Sequence, residues 1–221
     1  MSYTVRVWDL PTRLFHWLLL ACLIGLVSTA QVGGNAMEWH LRLGYAVLSL
    51  LLFRLSWGLV GGQWSRFSSF LYSPATLLRY VRGQGQPEHA IGHNPLGAIS
   101  VFLLLGILLL QVASGLISDD EIAATGPLVK YVSGTLVNRC TYYHKEIGAT
   151  LIYGLAALHL GAIFFYLFKK GQNLTPSMFH GDKQVTTAVT PTCDDARTRF
   201  RAFLVFVGCV VLVTVMVIMA T

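Results

Sequence analysis

The chain has 221 residues, of which 54% are hydrophobic and only 12% are charged. Soluble domains carry about a quarter charged residues, so this composition excludes an ordinary soluble enzyme. The formal net charge of +6 would suit a protein that binds nucleic acid, but the basic residues flank long apolar runs. We therefore expect membrane lipid, and no nucleic acid, around this chain.

Five apolar stretches are long enough, or nearly long enough, to cross a membrane, since a transmembrane helix needs about 20 mostly apolar residues. In chain order they are Leu14–Gln31, Leu41–Gly61, Leu96–Ile117, Glu146–Phe168 and Ala202–Ala220. Arg54 interrupts the second stretch and Glu146 opens the fourth, but a charge that faces inward or lies at the interface does not exclude a span. The sequence thus predicts an all-α integral membrane protein.

The first stretch has a second interpretation, because the segment before it is basic and Ser28-Thr29-Ala30 resembles the cleavage site of a signal peptide. Cleavage there would remove His16, whose predicted role favours the uncleaved chain.

The distribution of Lys and Arg predicts the orientation. With the N-terminus inside, all but four of the 16 Lys and Arg residues face the cytoplasm, as the positive-inside rule requires. The four exceptions are Arg42, Lys130, Arg139 and Lys145. Five spans then leave the C-terminus on the outer side of the membrane. The stretches Gly62–Asn94 and Gly171–Arg201 are predicted to be polar loops with room for short interfacial helices.

Four of the seven histidines lie in or at the ends of apolar stretches, where an ionisable group is costly and indicates a function. They are His16, His40, His144 and His159. Two b-type haems, each held by two imidazoles from different helices, need ligands at two depths. His144 and His159 are fifteen residues apart, which separates them by about 22 Å along a helix and about 60° around it. The depths predict that His40 pairs with His144 near the outer surface and His16 with His159 near the inner one.

Two glycines leave space beside the predicted outer ligands. Gly44 follows His40 by four residues, and Gly148 follows His144 by four, so each histidine has a position without a side chain one turn away on its own face. These positions would admit a porphyrin, although glycine is also common at helix contacts in membranes.

Three arginines are candidates for charge neutralisation at the haem. Arg13 lies almost one turn before His16, and Arg42 follows His40, so both could pair with haem propionates or simply extend to the membrane surface. Arg54, inside the second span, could serve the inner propionates or a quinone headgroup, or extend to the surface.

Other metal sites have less support. A zinc or di-metal site needs ligands that converge within a few ångströms, and carboxylates are missing from the interiors of the spans. His89 and His93 have an i, i+4 spacing, but Pro87, Gly92 and Pro95 predict a loop there. The four cysteines indicate no simple disulfide framework.

Four short segments carry a resemblance to the bacterial cytochrome b561 family, which includes the b-type subunits of nickel-iron hydrogenases. They are the run from Val7 to Trp17 (VWDLPTRLFHW), Trp39-His40, the run from His144 to Gly148 and His159. The resemblance implies a four-helix core with two non-covalent b haems. Each of the four histidines carries over individually as an axial ligand. The family passes electrons between quinone or quinol and a partner.

We therefore predict a four-helix haem-binding transmembrane bundle over residues 1–170, a cytoplasmic linker over 171–201 and a fifth transmembrane helix over 202–221. The resemblance implies the bacterial inner membrane, with the N-terminus in the cytoplasm and the C-terminus in the periplasm. Electrons would pass between ubiquinone or menaquinone and a periplasmic partner such as a c-type cytochrome. Two alternatives stay open: the membrane-anchor subunit of a larger oxidoreductase such as a nickel-iron hydrogenase, and a superoxide:quinone oxidoreductase. The acidic Asp119, Asp120 and Glu121 disfavour the second, since they would repel superoxide. No catalytic residue is predicted, because no pair of nucleophile and base is apparent.

Overall fold

The computed structural model describes residues 3–86, 89, 91–122, 124–186 and 188–220, and this part of the chain is mainly helical. Its α-helices are α1 (Leu10–Val32), α2 (Ala36–Val60), α3 (Pro74–Val81), α4 (Pro95–Gly115), α5 (Gly134–Tyr142), α6 (Ala149–Lys170), α7 (Thr175–His180) and α8 (Ala196–Ala220). Short 3-10 turns cover Phe67–Ser69 and Val129–Tyr131. The predicted all-α class is confirmed, while the arrangement of the helices as four plus one stays a prediction.

Five helical segments are long and apolar enough to cross a membrane. They are Leu10–Val32, Ala36–Val60, Pro95–Gly115, Gly134–Lys170 and Ala196–Ala220. The largest difference from the predicted bounds is in the fourth, which begins at Gly134 instead of Glu146. Its first turns are polar but begin with a regular cap, since the side chain of Ser133 accepts a hydrogen bond from the Leu136 amide.

One turn of π-helix, Tyr143–Gly148, joins α5 to α6, so that the fourth segment is one continuous helix. His144 lies inside this turn, whereas the sequence placed it just before the start of the span. A π-turn within an α-helix shifts the backbone hydrogen bonds by one residue and is frequent at functional sites.

A two-stranded antiparallel sheet pairs the segment before α1 with the segment after α7, and the sequence did not predict it. Strand β1 (Tyr3–Arg6) pairs with β2 (Asp182–Val185), with Tyr3 opposite Val185 and Arg6 opposite Asp182. The predicted polar stretch Gly171–Arg201 thus contains a strand as well as the short helix α7.

The contacts divide the chain into two compact units, and most of the long helices contribute to both. The first unit contains the chain up to Leu14, Arg54–Leu103 and Ala157–Val205. The second contains Phe15–Phe53, Leu104–Ala156 and the chain from Phe206 onward.

In the first unit, a small hydrophobic cluster covers the sheet. Its buried members are Val5, Val7, Trp8, Ile91 and Val185. Asp9 follows this cluster directly in sequence and is fully buried. Its carboxylate caps α1 by accepting from the Thr12 amide (2.9 Å) and also accepts from Trp57 Nε1 (3.1 Å) and Ser65 Oγ (2.9 Å). Asp9 therefore fixes the start of α1 against the end of α2.

A second carboxylate of the first unit, Asp194, binds three arginines. Its side chain is 4% exposed and lies 2.9 Å from Arg6 Nη1, 3.1 Å from Arg199 Nε and 3.7 Å from Arg13 Nη2. It also accepts from the Leu10 amide at 3.0 Å. This Asp194 cluster ties β1 and the start of α1 to the segment that leads into α8.

Candidate haem centre

The second unit brings two of the predicted ligands together. The ring centroids of His40 in α2 and His144 in the π-turn lie 6.1 Å apart, with an angle of 83° between the ring planes. A metal bound by two imidazole nitrogens, each at about 2 Å, places the ring centres about 6 Å apart. The observed separation therefore fits one metal ion between the two rings. A porphyrin supplies four nitrogens of its own, so two imidazoles complete the coordination of its iron.

Backbone carbonyls orient both rings. His40 Nδ1 donates to the Leu26 carbonyl in α1 at 3.0 Å, and His144 Nδ1 donates to the Gln111 carbonyl in α4 at 2.9 Å. A carbonyl only accepts, so each Nδ1 carries the proton and each Nε2 keeps its lone pair. Histidines that bind metals usually donate their other ring nitrogen in this way, which fixes the tautomer and increases the basicity of the ligand.

Gln111 also contacts His144 through its side chain. Its Nε2 donates to the His144 carbonyl at 2.9 Å. The ring of His144 is further enclosed by Ser114, whose Oγ lies 3.5 Å from Nδ1, and by Gly115. A Cβ added at Gly115 would lie 2.8 Å from His144 Cε1, so a larger residue there would displace the ring. Sequence analysis missed these residues, although an amide inside the apolar stretch Leu96–Ile117 was a signal for Gln111.

The two predicted glycines have different surroundings. A Cβ added at Gly44 would meet no atom within 4 Å, which agrees with open space beside His40. A Cβ added at Gly148 would lie 1.9 Å from Gln111 Oε1. Gly148 thus gives room to the amide that holds His144, and its role beside a porphyrin stays a prediction.

The other two predicted ligands fall in different units. His16 lies in the part of α1 that belongs to the second unit, half-buried, with its ring 5.1 Å from that of Trp17. His159 lies in the part of α6 that belongs to the first unit and is also half-buried. Their pairing stays a prediction.

The arginines predicted to neutralise propionates already have partners in the protein. Arg13 Nη1 donates to the Phe179 carbonyl, and Nη2 belongs to the Asp194 cluster. Arg42 forms an exposed ion pair with Glu38, and its guanidinium lies 5.0 Å from the ring centroid of Trp39. Their role toward a haem stays a prediction.

The alternative metal ligands do not form a cluster. His93 lies in the loop before α4, as predicted, with its ring between those of Trp8 and Phe70. Pro87, on which the loop prediction also relied, lies outside the described residues. Across the described ranges, no three side chains of His, Cys, Asp or Glu are grouped so that they could hold a metal ion.

Apolar spans that carry two imidazoles, each oriented by a backbone carbonyl and separated by a distance that suits one metal ion, are typical of a membrane-embedded haem protein. The family model of prokaryotic cytochrome b561 matches residues 7–181, and the chain belongs to that family. This confirms the resemblance found in the sequence: the protein is a bacterial multi-pass membrane cytochrome that binds b-type haem and transfers electrons across the membrane. The matched residues end before α8. Neither the curated proteins nor the solved structures contain a match to the chain.

Proposed function

We propose that this cytochrome transfers electrons through two b-type haems between a quinone pool and a periplasmic redox protein. The observation that best supports the proposal is the His40–His144 pair, with a centroid separation of 6.1 Å and both Nδ1 atoms on backbone carbonyls. Haem iron would supply reversible one-electron chemistry, and the protein would tune its potential through ligand orientation and burial.

Each histidine has one role in this proposal. His40 and His144 hold the first haem, and the hydrogen bonds to Leu26 and Gln111 keep both rings in the ligating tautomer. His16 and His159 hold the second haem, as their depths in the sequence predict. The two ligand pairs at different depths would give electrons a path across the apolar layer.

The redox partners are ubiquinone or menaquinone on one side and a protein such as a c-type cytochrome on the other. Asp119, Asp120 and Glu121 give the predicted periplasmic side a negative segment, with Glu121 exposed. Such a segment attracts a basic partner and repels superoxide, which favours a cytochrome over superoxide as the partner. A role as the anchor subunit of a hydrogenase would be favoured by co-purification of a catalytic subunit.

Haem content per chain tests the proposal, measured by pyridine haemochrome in the wild type and in His16→Ala, His40→Ala, His144→Ala and His159→Ala. We expect two haems in the wild type and one in each variant, because one axial imidazole cannot hold a non-covalent haem firmly. His40→Ala and His144→Ala should lose the same spectral component, and His16→Ala and His159→Ala the other.

The exposed His180 provides a matched control, since His180→Ala should keep both haems. Retention of both haems in any two of the four ligand variants would contradict the proposal.

A further inference from the structure

Arg54 is a buried cation in the first unit, and it forms no ion pair with any of the described residues. It lies within α2, is 3% exposed, and its guanidinium lies 4.7 Å from the ring centroid of Phe67. Its Nη1 is buried and makes no hydrogen bond in the described part of the chain. A buried charge costs several kcal/mol unless an opposite charge and hydrogen bonds compensate it, on the order of the penalties known for buried ions. Arg54 is therefore arranged to receive an anion.

Asp9 does not meet this need, although its charge acts on Arg54. Its Oδ1 accepts from the Thr12 amide, and its Oδ2 accepts from both Trp57 and Ser65. The carboxylate is thus already used in holding the start of α1.

His93 places a second buried polar nitrogen in the same unit. Its ring centroid lies 4.6 Å from that of Trp8 and 4.4 Å from that of Phe70, and its buried Nδ1 has no hydrogen-bond partner among the residues that the structure describes. Burial, together with the charges of Arg54, Lys183 and His159, lowers the pKa of His93 to about 3. The imidazole is therefore neutral at physiological pH, with one N–H to donate.

Ring contacts connect His93 to Arg54, since the Phe70 ring lies 5.9 Å from the Phe67 ring that the Arg54 guanidinium contacts. The same loop lies beside α6, because Asn94 Nδ2 donates to the Tyr166 hydroxyl at 2.8 Å.

Lys183 adds a third donor. It extends from β2, is half-buried, and donates to the Ile91 carbonyl at 3.3 Å, which is a neutral partner. Burial lowers the pKa of Lys183, and so a nearby anion would stabilise its charged form.

We infer that Arg54, His93 and Lys183 bind the propionate carboxylates of the haem that His159 ligates. The inference rests on the proposed function, and it assigns the charge-neutralising role to residues other than Arg13. Guanidinium and ammonium groups form short, charge-assisted hydrogen bonds with carboxylates, and a neutral imidazole can donate one more.

The burial of Arg54 favours a propionate over other anions. A hydrated inorganic ion would have to lose its water to reach a side chain that is 3% exposed. A haem brings its carboxylates on an apolar ring that can enter a membrane span. A quinone carbonyl could accept a hydrogen bond but would leave the charge of Arg54 uncompensated.

Variants of the full-length cytochrome test the inference. In Arg54→Leu we expect haem content to fall from two per chain to one, or the midpoint potential of one haem to fall, because a removed cation favours the ferric form. The affected haem should be the one whose spectral component is lost in His159→Ala. The spectral component that is lost in His144→Ala should stay unchanged. Arg54→Lys should retain both haems. Arg79→Leu, which removes an exposed arginine of the same unit, is the control and should match the wild type.

Reconstitution of the apoprotein with haem or with its dimethyl ester, which has no carboxylates, gives a second measurement. We expect the His159 site of the wild type to bind the ester more weakly than haem, and this preference for haem to be smaller in Arg54→Leu, which keeps His93 and Lys183. Unchanged haem content and potentials in Arg54→Leu, or equal uptake of ester and haem by the wild type, would overturn the inference and leave the proposed function intact. Retention of both haems in His16→Ala and in His159→Ala would instead overturn the proposed function.

Discussion

Gln111 supports His144, a predicted haem ligand, through both its backbone and its side chain. The carbonyl accepts from His144 Nδ1 and the amide donates to the His144 carbonyl, so one residue of α4 fixes the ring and the π-turn behind it. In metal sites, such partners orient the ligand and tune its basicity. Gln111 is thus a positioning residue and does not itself bind the iron.

We predict that Gln111→Leu keeps two haems per chain but changes the electron paramagnetic resonance signal of the haem held by His40 and His144. Loss of the amide leaves the His144 carbonyl without this donor, which allows the imidazole to rotate and costs about 1 kcal/mol of stability. The signal of the other haem should not change. Gln172→Leu, at an exposed position, is the control. Identical spectra in Gln111→Leu and the wild type would contradict a positioning role.

At the scale of residues, the sequence predicted the candidate ligands but not the groups that hydrogen-bond to them. The depths of His40 and His144 in their spans were sufficient to pair them, and the structure brings their rings together. The bonds to Leu26 and Gln111 could not be predicted, since they use backbone carbonyls that every residue possesses. Gly148 was interpreted from its spacing on its own helix, whereas the space beside it depends on a neighbouring helix.

At the scale of elements, the Asp194 cluster joins β1, the start of α1 and the start of α8. Burial raises the pKa of Asp194, but hydrogen bonds from Arg199, the Leu10 amide and Arg6 outweigh it, and the net pKa is lowered. A carboxyl group with a lowered pKa in the folded state stabilises the protein above its ordinary pKa of about 4, and this contribution is lost as the pH falls through the lowered value.

We predict that Asp194→Asn lowers the thermal unfolding temperature of the detergent-solubilised protein at pH 7. The difference from the wild type should shrink as the pH falls below about 4, because the carboxyl group of the unfolded chain is then protonated, and it should vanish below the lowered pKa of the folded state. Glu38→Gln, which breaks the exposed pair with Arg42, should change the unfolding temperature little. An Asp194→Asn difference that is constant with pH would refute the electrostatic role.

The elements that the sequence missed have identifiable physical causes. A hydropathy pattern locates only the apolar part of a helix. It therefore did not predict the polar helical turns from Gly134 to His144, although Ser133 caps their start normally. Strand β1 has only four residues, too few for an alternating pattern to stand out, and its partner lies 176 residues further along the chain, from Arg6 to Asp182.

At the scale of the whole molecule, composition and the five apolar stretches predicted the membrane location, but the packing of the helices could not be predicted. A helix in lipid is apolar on all sides, so no polar stripe indicates which face meets another helix. The predicted orientation of the chain in the membrane has a stronger basis than the helix packing, since Lys and Arg are distributed unequally between the two sides of the membrane.

We predict that Cys193 faces the cytoplasm and Cys140 the periplasm. Cys193 is exposed and Cys140 partly exposed, so both are accessible to labelling. A membrane-impermeant maleimide should label a variant that retains only Cys193 in inside-out vesicles, and a variant that retains only Cys140 in right-side-out vesicles. The two variants control for each other. Labelling of both in vesicles of the same sidedness would contradict the predicted topology.

The pairing of β1 with β2 affects the order in which the protein can be completed during synthesis. Residues 3–6 leave the ribosome well before their partner at residues 182–185, which follows only after four of the five apolar helices have been translated. Until then, the N-terminal segment has the unsatisfied backbone groups of an unpaired strand edge. Closure of the sheet therefore marks a nascent chain whose first four spans have been made, and a chain that stops before residue 182 keeps an open edge.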